Sequence, residues 1–231
     1  MKYKYLSVGI DAKTVKGQKK GYLTGILYLA PHTIASTKSL CPFSTPACRS
    51  VCLYSAGRGA VTNVQQARIR KTKEFQADSG LFMQALAEDI LTLKKAAIQQ
   101  GMTPVVRLNG TSDIEWENFG VIQQFPDLQF YDYLKHPPIL RKNLPTNYHL
   151  TFSHSEHLKS WEWGDGWFER GVNTAVVFRG GMPALFRGRP VVDGDESDLR
   201  FLDPEGVFVG LKTKGQARPL GKANGFVVDY D

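Results

Sequence analysis

All the cysteines of the chain fall within twelve residues: Cys41, Cys48 and Cys52, spaced C-x6-C-x3-C. Cys48 and Cys52 lie one helical turn apart, so on a helix they share a face. Pro42 and Pro46 stiffen the intervening chain and can carry Cys41 round to meet them. Lys38, Arg49 and Arg58 add positive charge, which favours the thiolate, the form that binds metal. Three readings are open. Free cysteines pack as small hydrophobes, but three unrelated ones would not be expected to gather in one proline-rich loop. Structural zinc takes four ligands, so a histidine such as His32 would have to complete the set. Three thiolates in one loop suit a [4Fe–4S] cluster with one iron left open to a small-molecule ligand. The expectation carried forward is this cluster on Cys41, Cys48 and Cys52.

Other groups have spacings that could do chemistry. Ser112-Asp113-Ile114-Glu115 reads as a capping box, which would start a helix and offer an anion site at its N-terminus. His154 and His157, three apart, could supply half a metal site, although exposed helix-start histidines give the same pattern. Asp193, Asp195, Glu196 and Asp198 could hold a hard cation such as Mg²⁺ or simply form a solvated turn. Trp161, Trp163, Trp167 and Phe168 could stack a base but fit a core edge better. Lys212-Thr213-Lys214-Gly215-Gln216-Ala217-Arg218 is a basic stretch suited to a phosphate or carboxylate. Walker loops, dinucleotide fingerprints, nucleophile elbows and zinc-protease motifs do not occur.

The elements that must position these groups follow from periodicity. A Gly- and Pro-free basic stretch over residues 61–78 reads as one helix. Leu86, Ile90, Leu93 and Ala97 recur three or four apart, giving a second over 81–100 that Gly101 stops. Strands are expected at Gly25–Leu29, Pro104–Leu108, Leu128–Tyr133, Tyr148–Phe152, Thr174–Phe178, Pro190–Val192 and Val207–Leu211. Several are short continuous apolar runs, as when both faces are buried. Alternation with helices predicts an α/β fold with a mostly parallel sheet: a partial (β/α) barrel, or alternatively an open doubly wound sheet. A site then belongs at the carboxyl ends of the strands. Polar clusters do follow the strands: Asn109–Asp113, Lys135-His136, Ser153-His154, Arg179–Gly181, Asp193–Asp195 and Lys212–Lys214.

The 231 residues carry no repeat or linker, so a single domain over 1–231 is expected, with a cluster-binding loop at about 38–58. A hydrophobic content of 42% with 22% charged residues excludes a wholly disordered chain. No apolar run approaches the roughly 18 residues that span a bilayer. No long apolar segment follows Met1–Tyr5, so neither membrane insertion nor a secretory leader is expected. Cysteine usage points to a reducing, cytoplasmic compartment. The net charge of +7 is uneven: residues 1–73 hold 13 Lys and Arg against one acid, Asp11. Such a segment attracts anions, so nucleic acid is a candidate partner of residues 1–73, including the basic run Arg68–Lys73.

Several blocks carry a resemblance. Asp11-Ala12-Lys13-Thr14, Gly21–Pro31 and the cysteine loop, with Arg107–Asp113, Tyr148–Ser153 and Val192–Asp195, resemble the phage- and plasmid-borne gene product 88 family over nearly the whole chain. The layout is also similar to that of radical S-adenosylmethionine (SAM) enzymes, where a three-cysteine loop follows the first strand of a partial barrel. It departs from their C-x3-C-x2-C spacing and has Asn109-Gly110-Thr111 where they carry Gly-Gly-Glu. The resemblance implies a SAM-binding or radical-SAM-like activity in the host cytosol. Asn109, Ser112 and Asp113 would position the ligand, and Lys135, Ser153, Arg179 and Lys212 would line the mouth. Two alternatives remain: a nucleic-acid-binding protein stapled by a cluster or zinc, and an iron–sulfur electron-transfer or sensor protein.

Overall fold

The structure is a computed structural model that describes residues 3–9, 12–214, 217 and 225–230. Asp11, Gly215, Gln216 and Arg218, which belong to motifs named above, lie outside the described residues, as do Met1 and Lys2.

Five parallel strands lie side by side in chain order: β2 (Tyr22–Leu27), β3 (Thr103–Arg107), β4 (Gln129–Leu134), β5 (Tyr148–Ser153) and β6 (Thr174–Arg179). Beyond β6 the order reverses to β9 (Phe208–Lys212) and then β8 (Arg189–Asp193), still parallel. These are the seven strands expected from the apolar runs. Three more were not anticipated: β1 (Leu6–Val8), antiparallel at one edge; β7 (Leu185–Phe186), antiparallel at the other; and β10 (Val227–Asp229). Two or three residues carry too little periodicity to register as strands. β5 pairs with β6 only at Thr174 and Ala175, and β10 pairs with β6 from Val177 onward, while β9 holds the other side. The result is an α/β fold with a mostly parallel ten-strand sheet, open between β1 and β7, with no closed barrel among the described residues.

Strand alternation sends residues to two different environments. Val106, Phe130, Leu150 and Phe152 face the main core, beneath α3 (Thr62–Ala77) and α4 (Ser79–Gln99). Leu86, Ile90 and Leu93 of α4 are fully buried there, each contributing about 1.5–3 kcal/mol. Asp78 caps α4, its carboxylate accepting the Leu81 N–H at 2.9 Å. Gly25 in mid-strand leaves the space that Leu93 and Leu6 fill; a Cβ there would come within 3.0 Å of both. β6, β8 and β9 pack through Phe178, Val191 and Phe208 against Trp161 and Phe168 of α5 (Ser160–Phe168). The opposite face carries Val105 and Tyr131, covered by Leu199 and Phe201. Toward the strands' carboxyl ends that face turns polar, with Arg107, Thr151 and Ser153. No helix among the described residues is long and apolar enough to cross a membrane.

Candidate functional site

A cavity of about 370 Å³ opens at the carboxyl ends of β3, β4, β5, β8 and β9. All three cysteines line it, on the stretch that follows β2. Cys48 sits in α2 (Pro46–Ser50), which Thr45 caps from its side chain. The loop is fastened from across the sheet. Glu156, after β5, accepts the Thr45 hydroxyl and the Ala47 N–H, each at 2.6 Å. From behind, the buried Arg68 of α3 lies over the rings of Tyr28 and Tyr54, fixing the chain on either side of the loop.

The loop after β3 forms the adjoining wall. The Gly110 N–H donates to the Leu27 carbonyl at 3.0 Å and the Thr111 hydroxyl to the Leu29 carbonyl at 2.6 Å. A Cβ at Gly110 would lie 2.5 Å from Tyr28, so only glycine permits this crossing. The Asp113 N–H then donates to the Leu40 carbonyl, joining the wall to the Cys41 segment.

The capping box does not form. Asn109 captures its residues first: its Oδ1 accepts the Ser112 hydroxyl, the Ile114 N–H and the Trp116 Nε1–H, and its Nδ2 donates to the Ile114 carbonyl. The chain closes into a side-chain-centred turn followed only by a 3-10 turn, Trp116–Phe119. The helix N-terminus expected to hold an anion is therefore absent. Asp113 is also engaged, accepting the Lys135 N–H at 3.0 Å and facing His136 Nδ1 at 3.2 Å. Asn109, Ser112 and Asp113 all line the cavity, but their polar atoms shape its wall.

Lys135, Ser153 and Lys212 also line the cavity. Lys135 Nζ donates to the Ser153 hydroxyl at 2.8 Å, the Ser153 carbonyl at 3.0 Å and the His154 carbonyl at 3.3 Å. Lys212 is largely exposed, 3.8 Å from Asp193. Arg179 is set apart: its Nε pairs with Asp229 at 2.5 Å and it does not line the cavity. The structure brings in further groups, of which the sequence reading singled out only Asp198, as part of the acidic run. Arg107 and Asp198 form a buried ion pair at 2.7 Å at the cavity, and Lys16, Val177, Leu211 and Phe226 complete the lining.

The remaining motifs resolve into packing and ion pairs. His32 reaches Cys41 through its backbone N–H, 3.4 Å from Sγ, and not through its ring. His154 commits both ring nitrogens, Nδ1 to Ser160 and Nε2 to the Gly225 carbonyl. Burial lowers its pKa to about 3. The ring of His157 stacks on Trp163. The acidic knot is dispersed over cations: Asp198 on Arg107, Asp195 on Lys214, Asp193 near Lys212. Trp167 is wholly buried and Trp161 packs on the β6–β9 core. Arg68 and Lys71 turn inward, and Arg70 pairs with Glu74 at 3.6 Å. Two of the four basic groups of that helix are thus removed from any surface nucleic acid could reach.

The family model for gene product 88 matches residues 6–229. The chain belongs to the gene product 88 family. No curated protein and no solved structure matches it. In this family member the thiols are free of disulfides and half-buried. Burial pushes the Cys41 and Cys52 thiols up, opposed by backbone N–H groups of His32 and Tyr54. N–H donors on sulfur of this kind also stabilise metal-bound thiolates. Among the described residues no three His, Cys, Asp or Glu are grouped to hold a single metal ion. Beside the three sulfurs the same cavity is lined by Asp113 and by Thr111, whose carbonyl lies 3.8 Å from Cys41 Sγ.

Proposed function

We propose that this protein binds a [4Fe–4S] cluster on Cys41, Cys48 and Cys52, leaving one iron open to a small-molecule ligand of SAM type. The observation that carries the reading is convergence. The only three cysteines of the chain line one cavity at the carboxyl ends of a parallel sheet, where α/β folds place their chemistry. Zinc fits less well, because four ligands at about 2.0–2.3 Å need closely grouped donors, and no such group stands among the described residues. When bound, such a cluster supplies an electron and an open coordination position, the chemistry of SAM-dependent radical enzymes.

The chain's own residues have separable tasks. Glu156 and Arg68 hold the cysteine loop in place. Asn109 and Gly110 set the wall that meets it. Val177, Leu211 and Phe226 give the cavity an apolar lining that limits water around a reactive ligand. Ser153, held by Lys135, presents its hydroxyl as an adaptable donor or acceptor at the cavity.

The test is iron, acid-labile sulfide and zinc analysis of protein purified without oxygen, followed by electron paramagnetic resonance of the reduced sample with and without SAM. About four irons and four sulfides per chain are expected, with a spectrum that changes on adding SAM. A cluster whose spectrum ignores SAM would leave an electron carrier or sensor. Zinc without sulfide would overturn the cluster itself.

A further inference from the structure

We infer that Lys135 is the electrostatic partner of the three-thiolate site, a fixed cation that offsets the negative charge of the bound cluster and tunes its reduction. The inference rests on the cluster reading above.

Lys135 follows β4 and lines the same cavity as Cys41, Cys48 and Cys52. All three of its ammonium protons are placed, on the Ser153 hydroxyl and the Ser153 and His154 carbonyls, so the charge is held in one position. All three acceptors are neutral. Among the described residues Lys135 forms no ion pair, whereas Arg107 is paired with Asp198, Lys214 with Asp195, and Lys212 lies near Asp193; Lys16, also at the cavity, donates to the Asp195 carbonyl. Asp113, which lines the same cavity, accepts the Lys135 backbone N–H and faces His136, which also faces Glu115 at 3.3 Å. Phe226 covers the ammonium, its ring centroid 5.5 Å from Nζ, and limits screening by water.

Lys16, Arg107, Lys135, Lys212 and Lys214 line the cavity against Asp113, Asp195 and Asp198, a surplus of positive charge that an occupant of net negative charge balances. Three thiolates outweigh the positive charge of an oxidised cluster core, so a cluster on these cysteines is such an occupant. Reduction adds one more negative charge beside Lys135. The ammonium therefore favours the reduced form and raises the midpoint potential, by the dependence of cluster potentials on nearby charge.

The test compares wild type with Lys135→Gln, which keeps N–H donors but loses the charge, and Lys135→Arg, which keeps the charge. Iron and sulfide are measured first, and thermal unfolding checks that each variant is folded. The midpoint potential is then taken by dithionite titration followed by electron paramagnetic resonance. Lys135→Gln is expected to weaken reduction at least tenfold, a fall of 59 mV or more for a one-electron couple, and Lys135→Arg to restore it. A folded, cluster-loaded Lys135→Gln protein with unchanged potential would overturn this inference and leave the cluster reading standing. Wild-type protein without iron and sulfide would overturn both.

Discussion

Replacing Glu156 with alanine tests whether the cysteine loop is held from across the sheet. The carboxylate accepts two hydrogen bonds of 2.6 Å, from the Thr45 hydroxyl and the Ala47 N–H, at the start of the five-residue helix α2 that carries Cys48. A hydrogen bond to a charged group contributes about 1.5–3 kcal/mol. The pair is only partly buried and water replaces some of what is lost, so about 2–3 kcal/mol is expected for both together. So short a helix has little intrinsic stability, and the loss should appear as local opening before global unfolding. The Arg49 and Val51 amides report it, because they donate within the helix to the Thr45 and Ala47 carbonyls at 2.9 and 3.2 Å. At about tenfold per 1.4 kcal/mol, their hydrogen exchange should speed up about 30- to 150-fold, while α4 amides keep their protection. Glu156→Gln can still accept from Ala47 and should fall between. Unchanged exchange at Arg49 and Val51 in Glu156→Ala would show that the loop holds itself, and the role assigned to Glu156 would be withdrawn.

Three further outcomes are expected. Asp132 is fully buried, and burial raises its carboxyl to about 7 against 3.8 ordinarily, opposed by Arg107. Between those values the folded chain keeps a proton that the unfolded chain releases, so stability falls as pH rises from about 4 to 7, by about 4 kcal/mol at 1.36 kcal/mol per unit. Asp132→Asn should flatten that slope in urea titrations; an unchanged slope would refute it. Asn109→Ala removes four buried or part-buried hydrogen bonds and should lower stability by about 4 kcal/mol at about 1 kcal/mol each. A loss below about 1 kcal/mol would return Asn109 to the role of a free ligand-binding group. Gly110→Ala drives a methyl group into Tyr28 and the Leu27 carbonyl, and should lower the urea midpoint by the equivalent of about 1–3 kcal/mol with no change in slope. A neutral result would show that this wall is not tightly docked.

The parallel sheet was legible because several of its strands hold short continuous apolar runs, such as Ala175–Phe178 in β6, and α4 because Leu86, Ile90 and Leu93 keep helical spacing. The edge strands were not, since β1 and β7 form only where a long neighbour offers free backbone groups. Open closure was beyond the sequence for a related reason. Seven parallel strands fit a barrel or an open sheet equally, and the reversal that places β9 between β6 and β8 is set by long-range pairing. On α3 the sequence showed charge without direction. Arg68 and Lys71 are as basic as Arg70, yet they are buried because a long aliphatic stem lets a cation reach a buried acceptor, the Tyr5 carbonyl in the case of Lys71.

The candidate site divides in the same way. The cysteines could be read from residue type and spacing alone, because soft donors gathered in one loop have few other uses. Ser112-Asp113-Ile114-Glu115 shows the converse. The capping-box pattern assumes that Ser112 is free to bond forward, but Asn109, three residues earlier, competes for the same hydroxyl and also takes the Ile114 N–H. A local motif holds only while no neighbouring side chain offers its groups a better partner. Glu156 lies 111 residues from Thr45, in a polar run that carries no mark of its task. Lys135 reads as one basic residue among 29 until the fold shows that its acceptors are neutral and its neighbours are thiols. What the sequence discloses is therefore the chemistry a residue type can do. What only the fold discloses is which of those residues remain uncompensated, and the uncompensated charge at Lys135 faces the same cavity as the three sulfurs.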